Sequence, residues 1–186
     1  MGLGNPGPSY ATHRHNLGAD VVALLADRHG ARLKPVRALR SLVTEVAVDG
    51  RWLALAFPQT FMNESGAAVA PLVRRYGIAE LERLVVVHDE LDLPVGRVKV
   101  KVGGGTAGHR GLGSIKDHLH SQDFVRVRIG IGRPPGRQQG TEYVLRTPPA
   151  AERSELAVAL EEAADAVEAI LALGPNVAMN RFNTGE

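Results

Sequence analysis

The sequence contains no cysteine among its 186 residues. Disulfide scaffolds, thiolate zinc sites and cysteine nucleophiles are therefore excluded. The His-Glu-x-x-His pattern of zinc hydrolases and the Gly-x-Ser-x-Gly turn of serine hydrolases are also missing. If this chain catalyses a hydrolysis, water activated by a side chain is the nucleophile that remains.

No apolar run is long enough to span a bilayer, and the N-terminus lacks the basic-then-apolar pattern of a secretory signal. We therefore expect a soluble protein, and the absence of cysteine fits a reducing, cytoplasmic setting. The length suits one domain with a substantial apolar core, which we predict to span residues 1–186.

Lysine is scarce: only four of the 22 cationic residues are lysines, so the sequence holds 18 arginines. Guanidinium groups stay charged and bind phosphates in pairs. The formal net charge of +2 gives no argument for nucleic acid by itself. Clustering of cations between Lys99 and Arg137 gives a better one, although a solvated strand face is the ordinary explanation of a basic run.

An acidic residue follows a short apolar run in the middle of the chain. The run Leu84–Val87 predicts a buried strand that delivers Asp89 to the edge of a sheet. Ligands of open α/β folds usually bind at that edge. Asp89 is therefore the first candidate for chemistry.

A cationic strand and a glycine-rich loop come next. Val98–Val102 alternates apolar and basic residues, which predicts a strand with Lys99 and Lys101 on one face. Two ammonium groups on a common face suit a phosphate backbone. The glycines of 103–111 then predict a loop with little side-chain bulk, which a polymer can approach closely.

Near the N-terminus, Gly2–Gly7 matches the glycine fingerprint of dinucleotide-binding folds. That fingerprint follows a strand and opens a helix, whereas only Met1 precedes it here and Pro6 disfavours a helix start. We therefore favour a turn that presents Asn5, with a nucleotide site as the alternative.

A helix is predicted over Leu17–His29, with Gly30 as its C-terminal stop. His15 lies just before this helix, and its proximity to the Asn5 turn makes it a candidate base; capping the helix is the alternative role.

Asp49-Gly50 predicts a two-residue hairpin between Ser41–Val48 and Trp52–Phe57. The loop that follows carries Asn63, which is a candidate amide donor or a cap for the helix predicted over 65–76. Phe61 and Met62 are predicted to pack against the core.

Strands and helices alternate in the C-terminal half. We predict a helix at Leu112–Leu119, a strand at Phe124–Ile131 with Arg126 and Arg128 outward, a mobile surface loop at 133–137, a long helix at Ala151–Leu173 and a short helix at Asn176–Asn183. The fold class is therefore α/β: a single domain with a mixed β-sheet and helices on both faces.

The candidates combine into one mechanism. A neutral imidazole can accept a proton from water, and a carboxylate on its other nitrogen orients it. His15 and Asp89 suit those roles, and the amides of Asn5 and Asn63 are suited to position the water, hold the acyl group or stabilise the developing oxyanion. A competing metal site would use His88, Asp89, Glu90 and Asp92, but alternation along an extended segment directs these side chains to opposite faces.

These motifs, in this order, resemble those of the bacterial peptidyl-tRNA hydrolase family. The matching segments are Gly2–Gly7, Tyr10, Arg14–Asn16, Gln59–Asn63, His88–Asp92, Lys99–Gly105, Gly108-His109 and Phe124–Gly132. The resemblance implies a monomeric α/β hydrolase that cleaves the ester between a peptide and the ribose of tRNA, recycling the tRNA.

The resemblance also implies roles for individual residues and requires no metal or cofactor. It implies catalytic roles for His15 and Asp89, and substrate or tRNA binding by Asn5, Tyr10, Asn63, Lys99 and Arg128. We add Arg110 as a candidate RNA contact, because it places a cation at the substrate groove. Lys99 and Arg128 match the pair that clamps a tRNA phosphate. Such contacts position RNA without reading its sequence.

Two features depart from the family pattern. Arg110 stands where the family usually has asparagine, which suggests an alternative function: a catalytically weakened or inactive homologue that binds RNA. The family also begins with an apolar strand before Gly2, where this chain has only Met1. We therefore expect a truncated first strand and hypothesise a start codon assigned too late.

Overall fold

The computed structural model describes residues 1–134, 136 and 139–184. Its strands are β1 (Lys34–Val36), β2 (Ser41–Val48), β3 (Arg51–Pro58), β4 (Val85–Glu90), β5 (Val98–Val102) and β6 (Val125–Gly130). Its α-helices are α1 (Leu17–Arg28), α2 (Ser65–Arg75), α3 (Arg110–Leu119), α4 (Gly140–Val144), α5 (Ala150–Leu173) and α6 (Pro175–Phe182).

Two three-stranded sheets meet at the N-terminal segment. One is antiparallel with the order β1-β2-β3, and the other is mixed with the order β4-β6-β5, in which only β5 is antiparallel to its neighbour. The backbone N–H of Gly2 donates to Ala56 in β3 at 3.0 Å, and that of Leu3 donates to Val87 in β4 at 2.9 Å. Residues 1–3 therefore join the sheets in the order β1-β2-β3-(1–3)-β4-β6-β5.

Helices cover both faces of the mixed sheet. Along β4, Val86 packs in the same apolar cluster as Val69 of α2 and Ile115 of α3. The next residue, Val87, belongs to the larger cluster formed with α1 and α5. This alternation confirms the predicted α/β class, with a buried layer on each side of the strands.

The predicted hairpin is confirmed, with β2 and β3 paired along their whole length. Asp49 and Gly50 have φ values of 48° and 76°, the left-handed conformations that a two-residue turn of this kind requires.

The glycines of Gly2–Gly7 allow the N-terminal segment to pack closely, and no α-helix begins directly after them. A Cβ atom on Gly2 would lie 1.8 Å from the carbonyl oxygen of Gly18, so the N-terminal segment can approach α1 only as glycine. A single 3-10 turn, Pro8–Tyr10, comes after Gly7. This motif therefore does not form the strand-turn-helix arrangement of a dinucleotide-binding fold.

Two predictions about side chains are wrong. Arg126 was predicted to face outward, but it is 3% exposed, and its guanidinium donates hydrogen bonds to the carbonyl oxygens of Gly104 and Gly105. Phe61 was predicted to lie in the core, but it is 54% exposed. Met62, the next residue, fills the core position instead.

Part of the predicted 133–137 loop, Pro135 and Arg137, lies outside the described residues. Arg133 is exposed and pairs with Asp92 at 2.6 Å. Within the described part of the chain, no helix is both long and apolar enough to cross a membrane.

Candidate active site

A single 3-10 turn, Arg14–Asn16, supplies three consecutive side chains that are all buried. His15 contacts the strand β4, Asn16 contacts the N-terminal turn, and Arg14 contacts the segment around α4. This turn therefore links three separate parts of the molecule at the point where the sequence predicted a base.

The imidazole of His15 is hydrogen-bonded to the carboxylate of Asp89. Its Nδ1 lies 2.8 Å from Oδ1 and 3.0 Å from Oδ2. Because a carboxylate only accepts, Nδ1 carries the proton of this bond. Nε2 is then the atom with a free lone pair, and His15 lines a cavity.

A second histidine, His109, contacts the same carboxylate from another direction. Its Nε2 lies 3.2 Å from Oδ1 of Asp89. Its Nδ1 accepts hydrogen bonds from the backbone N–H groups of Gly111 and Leu112, so it caps helix α3. Nε2 therefore carries the ring proton and donates a hydrogen bond to Asp89.

Asp89 is 2% exposed, yet it is surrounded by donors. Burial alone would raise the pKa of its carboxyl, but the positive charge and hydrogen bonds available from His15 and His109 outweigh burial and lower that pKa well below its usual range. The group is therefore a carboxylate at physiological pH and can stabilise a neighbouring imidazolium.

A third histidine lies beneath this pair. His88 is 1% exposed, donates from Nδ1 to the carbonyl oxygen of Asp89 at 2.7 Å, and contacts the ring of His109 edge to face at 5.0 Å between ring centres. Burial lowers the pKa of His88 to about 3. It is therefore a neutral support of the site.

The amide of Asn5 is oriented by its neighbours. Its Oδ1 accepts from the backbone N–H of Met62 at 2.7 Å, and its backbone is held by two hydrogen bonds with the side chain of Asn16. The Nδ2 group of Asn5 is consequently the part of the amide left to donate to a ligand in the cavity.

These groups line a cavity of about 240 Å³. Its walls include Asn5, Tyr10, His15, Phe61, Asn63, Asp89, Glu90, His109, Arg110, Thr141 and Val144. Asn63 and Arg110 are exposed at its rim, whereas His15 and Asp89 lie at its floor. Asn63 caps no helix, because the residue at the N-cap of α2 is Glu64 and no side chain caps that end.

The donor set does not suit a metal ion. Ligand atoms of His15, Asp89 and His109 lie within 4.8 Å of one another. Both nitrogens of His109 are engaged, however, one by backbone N–H groups and the other by its own proton. Of the acidic residues in the alternative metal site, Glu90 pairs with Arg128 and Asp92 with Arg133 instead of converging.

Comparisons with known proteins agree on one family. A family model described as peptidyl-tRNA hydrolase matches residues 1–186. The peptidyl-tRNA hydrolase of Frankia casuarinae is 52% identical, over 98% of this chain and 91% of that protein, and the one from Cutibacterium acnes is 47% identical, over 99% and 96%. The chain belongs to the peptidyl-tRNA hydrolase family. It is accordingly an ester hydrolase.

A solved structure of this family gives the same fold. The crystal structure of the peptidyl-tRNA hydrolase from Acinetobacter baumannii superposes with a TM-score of 0.92 at 37% identity, over 100% of this chain and 93% of that one. The α/β fold described above is therefore the fold of the peptidyl-tRNA hydrolases.

Arg14 attaches the wall of the cavity to the turn that carries His15. Arg14 donates to Glu152 of α5 at 2.6 Å and to the carbonyl oxygen of Arg146 at 3.2 Å. Its guanidinium also stacks over the ring of Tyr143 in α4, 4.2 Å from the ring centre. The wall formed by α4 is thus held against the turn that carries His15.

The predicted phosphate clamp lies outside the cavity, on the neighbouring strands. Lys99 of β5 is directly opposite Arg128 of β6, and both side chains are half-buried. Arg128 pairs with Glu90 at 3.1 Å, and Glu90 also lines the cavity. Lys101 is more exposed, and its ammonium lies against Gly104.

Of the residues predicted for the site, Asn5, Tyr10, His15, Asn63, Asp89 and Arg110 meet at the cavity, whereas Lys99 and Arg128 lie beside it. The sequence analysis missed His109, Asn16 and Arg14. A signal existed for His109, because it lies just before the predicted helix, where a side chain that accepts hydrogen bonds can cap the helix. No pattern in the sequence indicates the partners of Arg14 and Asn16.

Proposed function

We propose that this chain hydrolyses the ester between the peptide C-terminus and the 3′-terminal ribose of peptidyl-tRNA, with His15 as the base that activates water. The observation that carries the proposal is the bond from Nδ1 of His15 to both oxygens of Asp89, which leaves Nε2 as the free nitrogen of a residue that lines the cavity. An oriented imidazole beside a buried carboxylate is the arrangement that general base catalysis requires.

In the proposed mechanism, Nε2 of His15 takes a proton from water as the oxygen attacks the ester carbonyl. The imidazolium that forms is stabilised by the charge of Asp89. Nδ2 of Asn5 and the amide of Asn63 donate to the oxyanion, a role worth about 10²–10³-fold in rate for one donor. The tetrahedral intermediate then expels the ribose 3′-oxygen, which takes the proton back from His15.

The tRNA is proposed to lie over the cationic strands. Lys99 and Arg128 offer two cations at one position of the sheet, and Glu90 connects them to the cavity. A phosphate that binds Arg128 has to share it with Glu90, so this contact is expected to position RNA more than to supply affinity. Tyr10 lines the cavity and is the surface on which the terminal base or the acyl group is proposed to rest.

The test is hydrolysis of N-acetyl-aminoacyl-tRNA by wild type, His15→Ala and Asp89→Asn. Loss of a general base is expected to lower kcat by about 10²–10⁴-fold. His29→Gln is the matched control, because His29 also contacts an acidic partner, Glu168, but lies at the far end of α1. Undiminished turnover by His15→Ala would reject the mechanism.

One observation favours a second function, binding of RNA by a catalytically weakened homologue. Arg110 is an exposed cation at the rim of the cavity, and within the described residues it forms no ion pair. Arg110→Asn separates the two cases. A large gain in kcat for the variant would mean that the natural enzyme is weakened, whereas equal or lower kcat supports an active hydrolase.

We propose that the enzyme acts as a monomer in the cytoplasm, where its substrate is made. Light scattering at micromolar concentration tests the oligomeric state directly, and a dimer mass would overturn that part of the proposal.

A further inference from the structure

A second cavity, of about 490 Å³, adjoins the active-site cavity. Its walls include Pro6, Pro35, Arg37, Arg40 and Thr60, and it shares Phe61 with the active site. Below, this space is called the side groove. A single aromatic ring therefore separates the side groove from the place where the ester is expected to bind.

Phe61 is exposed in a way that folding does not explain. Its ring is 54% exposed, although the chain leaves few large apolar side chains in solvent. It contacts the ring of Tyr10 edge to face at 6.3 Å between ring centres. An aromatic residue between two cavities suits contact with a chain that passes from one to the other.

The side groove is cationic. Arg37 and Arg40 are both exposed, and neither forms an ion pair with any residue that the structure describes. Glu64 is the acidic residue of this wall, so two cations face one carboxylate. Arg40 is held with φ at 47°, and its carbonyl oxygen accepts from the N–H of Gln59 at 2.7 Å, which fixes the loop at the mouth of the side groove.

The order of strands indicates which part of the substrate reaches the side groove. In the order β1-β2-β3-(1–3)-β4-β6-β5, Asp89 lies on β4, between residues 1–3 and β6. The cationic pair Lys99 and Arg128 lies on β5 and β6, to one side. The side groove lies to the other side, where β1 ends, β2 begins and β3 leads into Phe61.

Resting on the proposed function, we infer that the side groove binds the acyl chain upstream of the esterified residue and favours acidic side chains there. With RNA over β5 and β6, the two halves of the ester leave in opposite directions, so the peptide extends past Phe61. An extended chain advances about 3.3 Å per residue, so the residues upstream of the esterified one reach past the ring. Acidic side chains on those residues then meet Arg37 and Arg40.

The test compares acyl groups on one tRNA: N-acetylglycine, N-acetyl-tetraglycine, and N-acetylated chains with three glutamates or three lysines before a final glycine. The enzymes are wild type, the double variant Arg37→Gln/Arg40→Asn, and the control Arg32→Gln. Asparagine suits position 40 because it tolerates a positive φ. Arg32 is an exposed arginine outside both cavities.

Wild type is expected to hydrolyse the glutamate substrate with kcat/KM about threefold to tenfold above the tetraglycine substrate, the range for two exposed ion pairs. The double variant should lose this ratio while keeping its activity on the N-acetylglycyl substrate, whereas Arg32→Gln should keep both the ratio and that activity. Charge reversal, Arg37→Glu/Arg40→Glu, should transfer the preference to the lysine substrate.

Equal kcat/KM for all the long acyl groups in wild type would overturn the inference while leaving the proposed function intact. An equal loss on every substrate in the double variant would also overturn it, because the side groove would then contact the RNA common to all of them. Failure of wild type to hydrolyse even N-acetylglycyl-tRNA would reject the proposed function and this inference with it.

Discussion

The stability of the fold should depend on pH through His88. This residue is buried beneath Asp89, and burial lowers its pKa from 6.5 to about 3, with the charge of His109 adding to the effect. As the pH falls below 6.5, the unfolded chain takes up a proton at this position and the folded chain does not until about pH 3. The contribution of His88 is therefore fully present above pH 6.5 and is lost as the pH falls toward 3.

The size of this effect follows from the two pKa values. One unit of difference in pKa corresponds to about 1.4 kcal/mol of unfolding free energy, so the full difference between 6.5 and 3 corresponds to about 5 kcal/mol. Between pH 7 and pH 5, the loss of unfolding free energy is about 2 kcal/mol. The substitution His88→Asn removes the titration and keeps an amide N–H near the position of Nδ1, which donates to the carbonyl oxygen of Asp89.

The assay is urea unfolding followed by circular dichroism at pH 7, 6 and 5. Between pH 7 and pH 5, wild type is expected to lose about 2 kcal/mol more of its unfolding free energy than His88→Asn. His120→Asn is the matched control, because His120 is exposed and has a φ of 52° that asparagine adopts readily. Other groups titrate equally in all three proteins, so parallel curves for wild type and His88→Asn would refute the reasoning.

Three further results are expected. Burial raises the pKa of Asp20 from 3.8 to about 6, so this carboxylate costs increasing stability as the pH rises through that range. Because the N-terminus of α1 offsets part of the cost, Asp20→Asn should stabilise the fold by about 1–2 kcal/mol at pH 8 and by about 0.5 kcal/mol or less at pH 4 in urea titrations. Asn183 exchanges two hydrogen bonds with Val100 on the edge strand β5, so Asn183→Ala should lower the unfolding free energy by about 1–3 kcal/mol, and an unchanged urea midpoint would contradict this. His109→Asn keeps a cap for α3 but is too short to reach Asp89, so kcat should fall about tenfold with little change in melting temperature; equal losses in both would point to a purely structural role.

The pairing of His15 with Asp89 was predictable because each residue lies at the end of a regular element. Apolar periodicity located α1 and β4, and the residues at their ends in an α/β fold gather at one edge of the sheet. The hairpin at Asp49-Gly50 was predictable for a similar reason, since its backbone conformation depends on two residues alone.

Other parts of the site depend on contacts between residues far apart in sequence. Arg126 and Arg128 alternate along one strand and have the same pattern, yet Arg126 is buried because the carbonyl oxygens of Gly104 and Gly105 lie within its reach. Arg128 remains half-buried beside Glu90. The difference arises from where the glycine loop folds back, which periodicity does not encode.

The turn Arg14–Asn16 explains how so small a segment organises the site. A 3-10 helix has three residues per turn, so successive side chains diverge by about 120°. Arg14 can therefore stack on Tyr143 of the α4 wall, His15 can bond the carboxylate on β4, and Asn16 can bond the backbone of Asn5, all from one turn. An α-helical turn would separate successive side chains by about 100° and would need about 3.6 residues to complete one turn. The three-residue turn thus holds His15, the backbone of Asn5 and the cavity wall against one another through adjacent peptide units. We therefore expect a change in any of the three contacts to shift the imidazole.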